Sequence, residues 1–238
     1  MYSFKSKVRY SEIDDKGYIT LGSILDYFQD CSSFQSDYLG IGMDYLMSQK
    51  RGWVLVYWDV RIERYVKSGE DIEIFTWPHE LKGCFGYRNF CIKDAEGRMC
   101  AYADSLWVYM DLENMRPLRA EPAIKEKYAT SPKINMEDKG RKVNAPDELL
   151  IRQPFRVRKS DIDTNGHVNN SQYVKIAAEY IPDNKIAGSV RVEYRDATYL
   201  GQTFEAKTAV LNDTLYVVLE NGSGQTSAIV EMELKESI

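Results

Sequence analysis

The chain has 238 residues, 44% of them hydrophobic and 28% charged, with a formal net charge of −5. This is an ordinary globular composition, and the acidic balance argues against nucleic acid as a partner. No apolar run is long enough for a membrane span and the opening MYSFKSKV lacks the apolar core of a signal peptide. Cys31, Cys84, Cys91 and Cys100 all lie in the first half without CxxC spacing and are expected as reduced thiols of a cytoplasmic protein. Of the two histidines, His79 and His167, neither belongs to a ligand-like cluster, so no metal and no other cofactor is expected.

The first segment of note, SEIDDKGYITL from Ser11, leads into a stretch without proline from Thr20 to Tyr38. Leu21, Ile24, Leu25, Phe28 and Cys31 recur there at helical spacing, which predicts an amphipathic helix. Four strands are then expected, at WVLVYWDVRIERY, DIEIFTW, CFGYRNFCIKD and MCAYADSLWVYMD, with a hairpin turn at Asp94-Ala95-Glu96-Gly97. From about Leu112 to Pro154 the chain is rich in charge and holds five of its seven prolines, which marks a surface connection.

At Ser160 the chain reads SDIDTNGHVNN, and the opening segment returns. Ser11 falls on Ser160, Asp14 on Asp163, Gly17 on Gly166 and Ile19 on Val168, all at one offset of 149. Two positions change chemistry: Lys16 faces Asn165, and Tyr18 faces His167. A second helix follows, with Tyr173, Ile176, Ala177 and Tyr180 as its stripe, Asn169-Asn170-Ser171 as N-cap residues and Pro182 after its end. Four more strands are expected at GSVRVEY, TFEAKTAVL, TLYVVLE and SAIVEMELK, with turns at Asn212-Asp213 and Asn221 to Gly224. Val60-Arg61-Ile62-Glu63 matches Val190-Arg191-Val192-Glu193, while Gly69 matches Gly201 at an offset two residues longer. A bulge is one way to absorb that excess. Ile229 and Met232 are out of phase in the last strand, which implies a bulge or burial on both faces.

Two similar helix-then-strands units make an α+β architecture. The boundaries read as residues 1–125 for the N-terminal domain, 126–150 for a linker and 151–238 for the C-terminal domain.

Asp163-Thr164-Asn165-Gly166-His167-Val168-Asn169-Asn170, with Tyr173 after it, resembles the DxNxHVNNxxY signature of acyl-acyl-carrier-protein thioesterases. The resemblance extends over nearly the whole chain and implies a tandem hot-dog fold, with two antiparallel sheets each wrapped around one long helix. It implies hydrolysis of a fatty acyl thioester to free fatty acid and acyl carrier protein, in fatty acid biosynthesis. By resemblance the catalytic Asp, Asn and His fall on Asp163, Asn165 and His167, and the first half is the acyl-binding domain. The family's catalytic glutamate aligns with Ala197, so Asp196, one residue away, is the expected substitute, with Glu193 behind it. No cysteine nucleophile has a counterpart, since Thr198 stands in that place.

The residue types suit the reaction. Histidine transfers protons near neutral pH, its ordinary pKa being about 6.5. A nearby carboxylate orients the ring, and the Asn165 amide can hold a water or the carbonyl oxygen. Free N–H groups from Val168 to Asn170, at a helix start, are expected to face the oxyanion. Lys16 when charged accepts no hydrogen bond and Tyr18 is a poor base, so the first copy is disarmed. Leu25, Phe28 and Phe34 are expected to line the acyl channel, and Asn169 to contact the substrate. Lys139, Arg141, Lys142, Arg152, Arg156, Arg158 and Lys159 form a basic set able to dock an acidic carrier protein. The rival readings are a coenzyme A thioesterase and a non-catalytic acyl-binding module. A hot-dog hydratase carries D-x-N-P-x-H, which this spacing does not match. A homodimer is compatible with the reading.

Overall fold

The stripe from residue 21 to 38 forms one helix because both of its ends are closed locally. Thr20 caps the start by accepting a bond from Ser23 N–H at 3.1 Å, and Leu39 N–H returns to Gln35 O at 3.0 Å. In the computed structural model, which describes residues 1–237, this helix belongs to the first of two units. That unit holds residues 1–56 and 62–138, and the second holds residues 57–61 and everything from Lys139 onward.

The first unit contains β1 (Tyr2–Lys7), α1 (Leu21–Tyr38), α2 (Met43–Ser48), most of β2 (Arg51–Ile62), β3 (Asp71–Lys82), β4 (Phe85–Asp94), β5 (Met99–Asp111), β6 (Arg116–Pro117) and α3 (Pro122–Lys127). Its strands run in the order β1-β3-β4-β5-β2. Each adjacent pair from β1 to β5 is antiparallel. Apolar residues alternate along β3, so Ile72 and Ile74 sit in the core with Leu25, Phe28 and Cys31 of α1. Pro78 lacks the N–H that the ladder needs, and the register slips between Pro78 and Glu80. A satellite core of Ile41, Tyr109, Ala120, Ile124 and Tyr128 explains α2 and α3, whose sequences announce neither: Leu46 of α2 packs on it and Ile124 of α3 belongs to it.

The second unit contains β7 (Leu150–Ile151), β8 (Phe155–Arg156), α4 (Asn170–Ala178), β9 (Lys185–Tyr194), β10 (Thr203–Leu211), β11 (Thr214–Asn221) and β12 (Thr226–Glu236). Residues 57–61 of β2 pair with residues 189–193 of β9, and the order continues through β12, β11 and β10. Asn212 and Asp213 both take positive φ, as a two-residue hairpin turn requires. The second helix is shorter than expected, nine residues against eighteen for α1. In the last strand the pairing with β11 slips at Ser227, but from Ala228 to Met232 the ladder is continuous on both sides. Ala228, Ile229 and Val230 are all buried, so burial on both faces explains why Ile229 and Met232 are out of phase. The two-residue excess is no bulge. β2 ends at Ile62 whereas β9 runs on to Tyr194, and the connections to the next strands, residues 63–70 and 195–202, are equal in length.

Residues 129–149 carry no helix or strand, yet side chains tie them down. In the first unit Trp77 Nε1 donates to Pro132 O at 2.9 Å, Ile134 N–H to Asn89 Oδ1 at 3.0 Å, and Lys133 Nζ lies 2.9 Å from Asp104. In the second, Arg191 Nη2 donates to the carbonyls of Lys139, Gly140 and Lys142 at 3.1, 2.8 and 3.1 Å. The remaining nitrogens of that buried guanidinium bond to Glu231 at 2.9 Å and Tyr57 at 3.1 Å. Burial opposes its charge, but those bonds outweigh burial and hold it above its ordinary value. Arg191→Ala should therefore lower the unfolding free energy by about 3 kcal/mol, the scale for a buried charge left without its partner. Urea titration checks the loss, and limited proteolysis should show early cleavage at residues 139–143. Wild-type stability would refute the anchoring role.

Candidate active site

The segment from Ile162 to Val168 folds as a closed loop, and its backbone chemistry is fixed by two residues. Asp163 N–H donates to His167 O at 2.9 Å, and Gly166 N–H donates back to Asp163 O at 3.1 Å. Asp163 Oδ1 accepts Asn165 N–H at 2.8 Å, an Asx-type closure. Gly166 has φ +84°, a region costly to any residue with a Cβ. The first copy reproduces this bond for bond: Asp14 N–H to Tyr18 O at 2.8 Å, Gly17 N–H to Asp14 O at 3.1 Å, Lys16 N–H to Asp14 Oδ1 at 3.0 Å, and Gly17 at φ +83°. Both loops are held from outside in the same way. Val168 N–H donates to Thr198 O, and Ile19 N–H to Val66 O, each at 2.8 Å.

On this frame stand the three residues singled out by sequence. His167 Nδ1 lies 3.6 Å from Asp163 Oδ1, an ion-pair distance but too long for a hydrogen bond. Asn165 Nδ2 donates to Asp163 Oδ2 at 3.2 Å, which leaves the amide oxygen of this exposed side chain without a bond partner among the described residues. The imidazole is about one-third exposed and the Asp163 carboxylate less so. Tyr173, buried beneath the loop, senses Asp163 and Asp196; burial pushes its phenol up, and contact with Thr198 opposes that.

Asp196 bonds to none of the three. Its Oδ2 accepts from Asn221 Nδ2 at 3.1 Å and its Oδ1 from Ala197 N–H at 3.0 Å, at an exposed strand end, with no hydrogen bond to His167 or Asn165. Glu193 is committed too. It accepts from Val143 N–H at 2.9 Å and pairs with Arg195 at 2.9 Å; burial works against its charge, but these partners hold its carboxyl below the ordinary range. Ala197 falls at the place whose first-copy counterpart, Tyr65, senses Asp14, so the position beside the loop carries no acid.

The helix-start donors are mostly used up. Val168 N–H is bonded to Thr198 O and Asn169 N–H to Asp161 O, leaving Asn170 N–H, the first of α4, unbonded among the described residues. Asn169 serves as the N-cap, its Oδ1 accepting Ser171 N–H at 2.9 Å. Of the expected channel residues, Leu25 and Phe28 are fully enclosed and Phe28 packs on Phe90. Phe34 turns the other way, 43% exposed against Phe4 of β1, because six residues past Phe28 is the far side of a helix with 3.6 residues per turn. Among the described residues no cluster of His, Cys, Asp or Glu could hold a metal ion, and no helix is long and apolar enough to cross a membrane.

Residues 1–128 match the model of the acyl-ACP thioesterase N-terminal domain and residues 144–236 that of the C-terminal domain. The chain belongs to the acyl-ACP thioesterase family. It is 29% identical over 170 residues to a chloroplastic palmitoyl-acyl carrier protein thioesterase of Cuphea hookeriana, an alignment covering 66% of this chain and 41% of the relative. The chain thus spans under half the length of that curated relative. A crystal structure described as an oleoyl thioesterase from Lactobacillus plantarum superposes with a TM-score of 0.88 at 27% identity, over 100% of this chain and 96% of that one. The 12:0-ACP thioesterase from Umbellularia californica gives 0.86 at 20% identity, over 99% and 97%, and supports the fold. The acyl-ACP thioesterase fold of this chain is therefore the α+β hot-dog architecture.

Two expectations test this site as the geometry draws it. Gly166→Ala should cost about 1 kcal/mol through backbone strain alone, since an added Cβ meets nothing within 4 Å; a larger loss in thermal melting would mean an unseen contact. Asp196→Asn should leave turnover nearly intact, because both oxygens of its carboxylate are engaged by Asn221 and Ala197. A large drop in kcat at unchanged melting would return the acid to the site.

Proposed function

We propose that this chain hydrolyses fatty acyl thioesters carried on acyl carrier protein, releasing a free fatty acid and the carrier thiol. The observation that carries the reading is the duplicated loop: one backbone frame is built twice, and only the second copy holds a carboxylate, an amide and an imidazole together. His167 takes the proton from the attacking water. Asp163, 3.6 Å from Nδ1, then faces an imidazolium and stabilises it by charge rather than by a hydrogen bond already in place. Asn165, its amide nitrogen tied to Asp163, offers its oxygen to that water. Asn170 N–H at the start of α4 is the donor left to the oxyanion.

The cysteines support water rather than a thiol as nucleophile. Burial pushes Cys31 up to about 12 and Cys91 up to about 11, which keeps both neutral and unreactive at neutral pH. The disarmed first half is assigned to the acyl chain. Within the basic set, Lys139 is paired with Glu233 and Arg158 with Asp161, whereas Arg156 and Lys159 form no ion pair among the described residues and are the better candidates for carrier docking.

Carrier and coenzyme A thioesters of graded chain length, assayed for released thiol, test the proposal, with faster release from the carrier expected. His167→Ala and Asn165→Ala should each lower kcat roughly a hundredfold, the scale for an acid–base or oxyanion group. Lys16→Ala and Tyr18→Phe should leave the chemical step unchanged. Absence of hydrolysis on every thioester would leave only acyl binding.

A further inference from the structure

Among the described residues no hydrogen bond fastens the imidazole of His167. Asp163, the charged group recorded against it, stands at 3.6 Å with Oδ1 and Oδ2 both bonded to Asn165. The ring's other recorded contact comes from the turn after β9, where Tyr199 meets it edge-to-face with centroids 6.1 Å apart and planes at 73°. Aromatic rings favour this arrangement at this separation.

Tyr199 is half exposed, but its backbone is pinned from several sides. It pairs with His167 in an antiparallel bridge. Its N–H donates to Gln202 Oε1 at 2.8 Å, its carbonyl accepts Gln202 N–H at 3.1 Å, and Gln202 O accepts Val157 N–H at 2.9 Å. The first unit repeats this turn. Lys67 pairs with Tyr18, Lys67 N–H donates to Glu70 Oε1 at 2.7 Å, Glu70 N–H returns to Lys67 O at 3.2 Å, and Val8 N–H donates to Glu70 O at 3.0 Å. There Lys67 Nζ lies over the Tyr18 ring, 5.2 Å from its centroid. The fold therefore supplies one residue, from the same turn, to press on whatever ring the loop carries. A lysine suits a tyrosine face but would oppose an imidazolium. The armed copy has a neutral aromatic ring instead.

We propose that Tyr199 is a positioning residue for His167, its ring fixing the imidazole for proton transfer where Asp163 does not. This rests on His167 being the acid–base group. With two histidines in the chain, the imidazole C–H resonances are resolvable by NMR, and His167→Ala assigns them. Tyr199→Leu should lower kcat roughly tenfold, since small misplacements of a reacting group are costly, with KM and melting unchanged. Its His167 resonance should shift as the ring current is lost, and Tyr199→Phe should restore both rate and resonance. Tyr199→Lys should lower the pH midpoint of His167, because a like charge disfavours the protonated form. The proposal is overturned if Tyr199→Leu keeps wild-type kcat, if it changes KM alone (a substrate contact), or if Tyr199→Phe fails to restore. An unmoved His167 resonance in the leucine variant sinks the contact itself. Should the wild-type chain hydrolyse no thioester, the functional reading fails, while the resonance and midpoint still decide whether Tyr199 governs the ring.

Discussion

The constraint on which the rest depends is the closure of a short loop by an aspartate and a glycine. A carboxylate that accepts the N–H two residues on, and a residue at φ near +84°, together set the path of the backbone between Asp163 and His167. Nothing in that closure needs the side chains at the third and fifth positions, which are lysine and tyrosine in one copy and asparagine and histidine in the other. The scaffold is thus separable from the chemistry. Different residues occupy those two positions without opening the loop, which is how one frame persists twice with different contents.

Holding the loop rigidly falls to its neighbours rather than to itself. Val168 and Asn169 give their N–H groups to Thr198 and Asp161, so the donors that would serve an oxyanion are partly traded for anchorage. The same economy governs the connection between the repeats. It has almost no regular structure, yet it is ordered because Asp104 and Asn89 fasten one part and Arg191 the other. A buried guanidinium bonded to three carbonyls does what a strand would do with a ladder of N–H groups.

Much of this was legible in the residues. β5 and β10 fall where alternation places them, α1 follows its stripe from the Thr20 cap, and the repeated segment folds as the same loop twice. What stayed hidden depends on contacts made at long range. β1 is too short and polar to stand out, and exists because it pairs with β3. α2 and α3 exist because a satellite core receives them. Arg191 reads as one strand residue among many until the carbonyls of the connection converge on it. Asp196 shows how far a local reading carries: its position one residue from the aligned glutamate suggested a turned strand, but the strand simply runs longer and the carboxylate bonds to Asn221.

The lack of an acid at Ala197 changes what the proposed hydrolysis asks of the loop. With Ala197 beside the loop, Glu193 held by Arg195 and Val143, and Asp196 held by Asn221, Asp163 is the carboxylate recorded against the imidazole. That carboxylate already closes the loop and holds Asn165, so it orients the ring weakly at 3.6 Å while still attracting its charge. Proton transfer depends on direction as well as affinity. Direction must then come from a neighbour that neither bonds to the ring nitrogens nor competes for the proton, and an aromatic ring packed edge-to-face meets both requirements. The turn that carries Lys67 in the first copy and Tyr199 in the second is the place in this fold that can supply it.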